Sequence, residues 1–287
     1  MQGEYVRRIV QLALAEDIGT GDVTTLATVP EDLQASGYLL AKSSGVLSGL
    51  EVAAAVFHEV DPAITFEPLA ADGDRIEREQ HLARVSGPAR GILSAERVAL
   101  NFVQRLSGVA TLTARYVAAV EGTGARIIDT RKTTPGMRLL EKAAVRHGGG
   151  HNHRVGLSDG VLIKDNHLAA IGGADRIARA VAAARAFAPH TLRIEVEVTS
   201  LEELDQALAA GADVILLDNM PIDMMAEAVR RTAGRAILEA SGGITLETVR
   251  QVAETGVDLI SSGALTHSAP ALDISLEIEL QPEEDAP

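Results

Sequence analysis

The chain has 287 residues, enough for one large domain or for a large and a small one. Hydrophobic residues make up 46% of it and aromatics only 2%, so its core must be built from Leu, Val, Ile and Ala. A net charge of −14 argues against broad binding to nucleic acid or anionic membrane, and zero cysteines exclude disulfides, thiolate metal sites and a cysteine nucleophile.

The opening stretch, MQGEYVRRIVQLALAEDIG, predicts an amphipathic helix over 4–16. It lacks the basic start, apolar run and small-residue cleavage site of a signal peptide. No uncharged apolar run approaches the roughly 18 residues of a membrane span, so the expected location is the cytoplasm. LQASGYLLAKSSGVLSG and AITFEPLAADGDRI follow, with Gly-rich turns but no strand–helix rhythm. SAERVALNFVQRLSGVATLTARYVAAV (94–120) predicts two helices hinged at Ser107–Gly108, with Ser94 as N-cap. Residues 1–110 are expected to form a smaller α+β domain.

Beyond about residue 120 short apolar runs alternate with helical patterns. The predicted strands are ARIIDT (125–130), GVLIK (160–164), RIEVEV (193–198), DVILLDN (213–219), RAILEAS (235–241) and VDLISSG (257–263). Such alternation implies parallel strands with right-handed crossovers. It suits an α/β barrel or a Rossmann-like sheet, and the missing GxGxxG favours the barrel. With six strands that barrel, over 111–270, is expected to be incomplete. ALDISLEIEL breaks the rhythm, so 271–287 is a candidate to rejoin the first domain.

The polar residues gather at strand ends, where parallel barrels carry their chemistry. The first two barrel strands end in Asp129, Arg131 and Lys132, then in Lys164, Asp165, Asn166 and His167. Alternation in RIEVEV puts Arg193, Glu195 and Glu197 on one side, inside the barrel, with Lys164 and Arg193 as available partners for the carboxylates. A structural salt-bridged layer would look the same. Asp218 and Asn219 end the next strand, where an ordinary Asn/Pro turn is the competing explanation. Ser241–Gly242–Gly243 and Ser262–Gly263 follow the last two strands. One Gly turn there would be commonplace, but two in succession suit phosphate binding.

Only four of the 26 basic residues are lysines, and Lys132, Lys142 and Lys164 all fall within 132–164. Lysine gives a compact, titratable charge where arginine gives a wide fork. Residues 129–167 hold seven Lys/Arg against four Asp/Glu in an otherwise acidic chain. Arg138, Lys142 and Arg146 share a helix face, for which a solvated basic surface is an equal explanation. His147, His151 and His153 lack the ligand pattern of a dedicated zinc site. GGGHNHR is therefore read as a close-approach loop whose neighbouring cations converge on a small, multiply charged anion.

DTRKTTPG, GGGHNHRVGL, LIKDNH, EVEV, LLDN, the Ser-Gly-Gly turn and SGALTHSAPALDISL together resemble the quinolinate phosphoribosyltransferase family, in order and spacing. DVTTLAT and LSAERVALNFVQRLSG extend the resemblance over nearly the whole chain. It implies an N-terminal sandwich-like α+β domain, an open α/β barrel, and a homodimer with shared active sites, or a hexamer. The implied reaction converts quinolinate and phosphoribosyl pyrophosphate, with Mg²⁺, to nicotinate mononucleotide, pyrophosphate and CO₂. By motif, Arg131, His153, Arg154 and Lys164 correspond to the quinolinate pocket, with Arg97 reaching in from the neighbouring subunit. Lys132 and Lys164 would serve phosphoribosyl pyrophosphate, and Glu197 and Asp218 would lie near the ribose hydroxyls and hydrated Mg²⁺. Ser241, Gly242, Gly243, Ser262, Gly263 and His267 fall in the phosphate-binding loops. Ala144 departs from the family, which more often has an aromatic residue there.

Three other readings fit part of the pattern. The related pyrophosphorylase-like proteins of molybdenum-transport operons share TRKT, GGG and HR but not the lysine of KDNH. A class I aldolase would use Lys164 as a Schiff base. A nucleic-acid-binding protein using the 131–164 cations is disfavoured by the net charge and the scarce aromatics.

Overall fold

The computed structural model of the protein describes residues 2–280. In chain order the elements begin α1 Gln2–Ile18, α2 Val23–Thr28, β1 Gln34–Ala41, β2 Gly45–Val46, α3 Leu50–Val60, β3 Thr65–Pro68, β4 Arg75–Ile76 and β5 His81–Pro88. The long helix α4, Ala89–Ala119, leads to β6 Arg126–Ile128 and α5 Arg138–His147. Strand–helix alternation continues with β7 Val161–Ile163, α6 Asp165–Ile171, α7 Arg176–Phe187, β8 Ile194–Val198, α8 Leu201–Ala209, β9 Val214–Asp218 and α9 Ile222–Thr232. It ends with β10 Ile237–Ser241, α10 Val249–Glu254, β11 Leu259–Ser261, α11 Ala264–His267 and β12 Ile274–Leu280.

Two compact units result. The first takes residues up to Leu112, Thr134–Gly149, and the chain from Ala269 onward; the second takes Thr113–Thr133 and Gly150–Ser268. The expected boundary near 110 thus needs one change, because α5 packs with the first unit although it lies between two strands of the second. The ALDISLEIEL stretch forms β12 and pairs with β1, so the antiparallel sheet of the first unit runs β12-β1-β5-β3. Residues 281–287 of that expectation lie outside the described residues.

The hinge expected at Ser107–Gly108 is absent, and α4 runs through it unbroken. Ser107 Oγ accepts from the Ser48 amide at 2.9 Å, and a side chain at 108 would start 2.0 Å from the Pro270 carbonyl oxygen. The small residues there permit close packing. Ser94 lies inside the helix rather than at its cap, and its hydroxyl donates to Asp22, the N-cap of α2. The basic face expected on α5 is also incomplete: Lys142 is buried, beside a buried Glu141 that accepts from Arg105 at 2.8 Å. Ala144, where the family more often has an aromatic residue, is fully buried in the same helix.

In the second unit six parallel strands follow the order β6-β11-β10-β9-β8-β7. All six predicted strands are present, each shortened by one to four residues. The first two, β6 and β7, do not pair, and a single bridge from Ile128 to His151 stands where they would close the barrel. The barrel is open there. Ile194, Val196 and Val198 of β8 face outward and are buried, like Leu217 of β9 and Ala240 of β10. Their cover comes from apolar faces such as Ile177 and Val181 on α7 and Leu204 and Ala207 on α8. Fully burying one such Leu or Ile contributes roughly 1.5–3 kcal/mol. Glu195, Glu197, Leu216 and Glu239 take the opposite, inward side.

Candidate active site

The inward residues and the loops at the strands' C-terminal ends enclose a cavity of about 490 Å³. Arg131 and Lys132 enter from the loop after β6, His153 and Arg154 from the Gly-rich loop, and Lys164 from the end of β7. Glu197, Asp218 and Ser241–Gly243 come from β8, β9 and the turn after β10. Ten of the fourteen residues that the family resemblance assigns to the substrate site therefore line one cavity.

Several are held by local devices. Asp129, fully buried, accepts from the Asn152 side chain at 2.7 Å and from the His153 amide at 2.8 Å, tying the Gly-rich loop to the end of β6. Lys164 is the N-cap of α6, and the His167 ring accepts its amide hydrogen at 2.9 Å. That bond gives His167 of the KDNH motif a structural task. Lys164 Nζ donates to Glu197 Oε2 at 2.6 Å, the ion pair expected from the sequence. Glu195 differs from the expectation, since its partner at 3.0 Å is His153 and not Arg193. Arg193 lines a second cavity of about 480 Å³ with Arg126 and Asp159, and His153, Arg154 and Glu239 border both spaces.

Arg154 carries the clearest sign of an anion site. Its Nη1 donates to the Gly160 carbonyl at 3.0 Å, while its Nε is buried with no partner. Burial, and then the charge of Arg131, pull its pKa below the usual arginine value. Two guanidinium groups that raise each other's energy are ready for an anion with fixed geometry.

The turn residues have structural explanations as well. Asn219 has φ 52°, its amide donates to the Ser241 carbonyl at 2.9 Å, and its side chain donates to Asp218 at 3.0 Å. Gly242 has φ 96°, where a side chain is strained, and a Cβ there would start 2.3 Å from Asn219 Oδ1, so the turn itself favours glycine. Gly243, at φ 61°, has open space around it. Four expected residues do not line the cavity. Ser262 is buried, Gly263 packs against Lys132 and His267, and the His267 ring meets Ser268 Oγ at 2.6 Å. Arg97 belongs to the first unit, mostly exposed, with its guanidinium 4.0 Å from Glu96.

The sequence reading missed Glu239. It sits in the middle of β10, buried, with Oε2 at 3.6 Å from His153 Nε2. Its signal was a carboxylate at the centre of the apolar run AILEAS. A larger cavity of about 580 Å³, lined by Asp213, Arg235 and Asp258, is a weaker candidate. Asp213 and Asp258 are committed there to the backbone amides of Ile194 and Leu238.

Residues 22–107 match the N-terminal domain of quinolinate phosphoribosyl transferase and residues 109–277 match its C-terminal domain. The chain is 44% identical to the chloroplastic nicotinate-nucleotide pyrophosphorylase [carboxylating] of Arabidopsis thaliana, covering 96% of this chain and 83% of that one. It is also 44% identical to the probable nicotinate-nucleotide pyrophosphorylase [carboxylating] of Bacillus subtilis, over 97% and 95% of the two chains. The crystal structure of NadC from Streptococcus pyogenes superposes with a TM-score of 0.90 at 44% identity, covering 96% of each chain. The chain belongs to the quinolinate phosphoribosyltransferase family.

Proposed function

We propose that the protein transfers the phosphoribosyl group of phosphoribosyl pyrophosphate to quinolinate with decarboxylation, a step of de novo NAD biosynthesis. The observation that carries this is the convergence of Arg131, Lys132, Arg154 and Lys164 with Glu197 and Asp218 in one cavity of a strongly acidic chain. Full-length identity to carboxylating nicotinate-nucleotide pyrophosphorylases supports it.

In this reading Arg131, Arg154 and Lys164 hold the two carboxylates of quinolinate, the arginine forks suiting their planar geometry. The quinolinate ring nitrogen forms a bond to the anomeric carbon as the carbon–oxygen bond to pyrophosphate breaks. Positive charge grows on the ribose in the transition state, where Glu197 and Asp218 are the available carboxylates. Lys132 and Lys164 take the leaving group's negative charge. Once the ring nitrogen is cationic, the bond to the 2-carboxylate breaks, CO₂ departs, and a proton takes its place. Ser241–Gly243 make up the phosphate-binding turn of the cavity, while Ser262, Gly263 and His267, which do not line it, are assigned to phosphate by the family resemblance alone.

Mg²⁺ fits the oxygen donors Glu197 and Asp218. Glu197 already meets Lys164, however, and no dedicated carboxylate cage surrounds either one among the described residues. The two carboxylates suit the hydration shell of a Mg²⁺ carried in by pyrophosphate oxygens. Bound there, the ion would neutralise leaving-group charge. A Schiff-base lyase using Lys164 is the alternative that borohydride trapping with a carbonyl substrate separates.

The protein is further proposed to act in the cytoplasm, as a homodimer whose sites are shared. No helix among the described residues is long and apolar enough to cross a membrane. Incubation with quinolinate, phosphoribosyl pyrophosphate and Mg²⁺ should yield nicotinate mononucleotide, with nicotinate, which lacks the 2-carboxylate, as the poor-substrate control. No product from quinolinate would overturn the assignment. Mixing inactive Arg97→Ala and Lys164→Ala dimers under subunit exchange should restore activity, and confirmed exchange without activity would defeat the shared site.

A further inference from the structure

His153, Glu195 and Glu239 bring one ring nitrogen and two carboxylate oxygens within 4.8 Å of one another beneath the cavity. Such a cluster invites a metal, but the hydrogen bonds around the ring argue otherwise. The Arg154 amide donates to His153 Nδ1 at 2.7 Å, so Nδ1 must carry a lone pair. The ring hydrogen then belongs on Nε2, which faces Glu195 Oε2 at 3.0 Å. A protonated Nε2 has no lone pair for an ion, and which nitrogen carries the hydrogen is set by the bond the other makes.

The carboxylates pose a second problem. Both glutamates are more than nine-tenths buried, and Glu195 Oε1 is buried with no hydrogen-bond partner. A proton on Glu239 supplies the missing donor. Burial, and then the neighbouring Glu195 charge, push the Glu239 carboxyl well above the usual carboxylate range.

We propose that Glu195 and Glu239 are positioning residues that keep the His153 ring hydrogen on Nε2, so that Nδ1 can accept the Arg154 amide and set Arg154 for a dianionic substrate. With both ring nitrogens so committed, His153 acts as a strut between the carboxyl pair and the Arg154 backbone. The part concerning the dianion rests on the proposed function; the part concerning the tautomer does not.

Nitrogen-15 NMR of histidine-labelled protein tests the tautomer without any turnover, with His153→Gln used to assign the signals. The neutral Nε2–H form of His153 is expected at pH 7. An imidazolium or an Nδ1–H form would overturn the proposal. Glu239→Gln, whose amide supplies a permanent donor, should keep the Nε2–H form, and its loss there would count against Glu239 acting as a donor to Glu195. Glu195→Leu should redistribute the tautomer and raise KM for quinolinate about tenfold or more, with a smaller change in kcat. An unchanged KM, or an effect on kcat alone, would reduce Glu195 to a packing role. If wild-type protein makes no nicotinate mononucleotide, the functional reading fails while the NMR result still decides the tautomer.

Discussion

Replacing Lys164 by arginine separates charge from shape in the cavity. Lys164 Nζ lies 2.6 Å from Glu197 Oε2; the lysine side chain is 45% exposed and the glutamate 11%. An arginine retains the charge and can still meet Glu197, so stability should change by less than about 0.5 kcal/mol. Lys164→Ala is the harsher control. A charged hydrogen bond contributes about 1.5–3 kcal/mol, and with nearly half the lysine in solvent the loss should be nearer about 1 kcal/mol. Catalysis should respond differently. Lys164 is assigned a point contact to quinolinate and to the leaving group, which a flat, wider fork cannot reproduce. Losing a paired contact to a desolvated charge costs roughly 2–5 kcal/mol, or about 30-fold or more in kcat/KM. Thermal melts alongside steady-state rates with quinolinate measure both quantities. An arginine variant with a normal melt and near-normal kcat/KM would refute the reasoning, leaving Lys164 a general electrostatic contributor.

Glu197→Gln should lower kcat more than it weakens quinolinate binding, because its role is placed in the transition state, and a change confined to KM would contradict that. Gly108→Ala should destabilise the first unit by about 1–3 kcal/mol or prevent folding, since its Cβ would lie 2.0 Å from the Pro270 oxygen; an unchanged melt would be inconsistent with the close approach. Asp213 titrates below the usual range: burial alone would raise it, but the bonds from Arg185 and the Ile194 amide outweigh burial. Its folded pKa lies below its unfolded one, so its stabilisation is present above the unfolded pKa and lost as pH falls through the folded pKa. Asp213→Asn should therefore flatten acid-side melting curves and cost at most about 1 kcal/mol at pH 7, and an unaltered pH profile would count against the linkage.

The barrel was legible because its strands obey local rules. RIEVEV alternates with period two, and the structure puts its charged residues inside and its apolar ones under helices. The strand-end cations were legible for a related reason, since lysine is rare in this chain and clusters there. What escaped depends on partners distant in sequence. Ser107–Gly108 has the local signature of a break, yet Pro270, more than 160 residues away, needs that glycine to pack on a straight helix. Lys142 repeats with Arg138 and Arg146 every four residues, as a solvated face would, but α5 sinks into the first unit and buries it.

Glu239 marks the sharper limit. As one carboxylate in AILEAS it is an isolated oddity, and its neighbours in the open barrel come from β8 and the Gly-rich loop, at 195 and 153. Burial of one acid is costly unless a proton or a cation joins it. Four cations line the same cavity, so a cation would have been the natural guess from sequence. The hydrogen bond from the Arg154 amide to His153 tips the choice toward the proton, because it fixes where the ring hydrogen sits and leaves Glu195 with one acceptor unfilled. The place of the ring hydrogen thus depends on a backbone amide that carries no charge. No pattern of residue types in the sequence could have displayed that dependence.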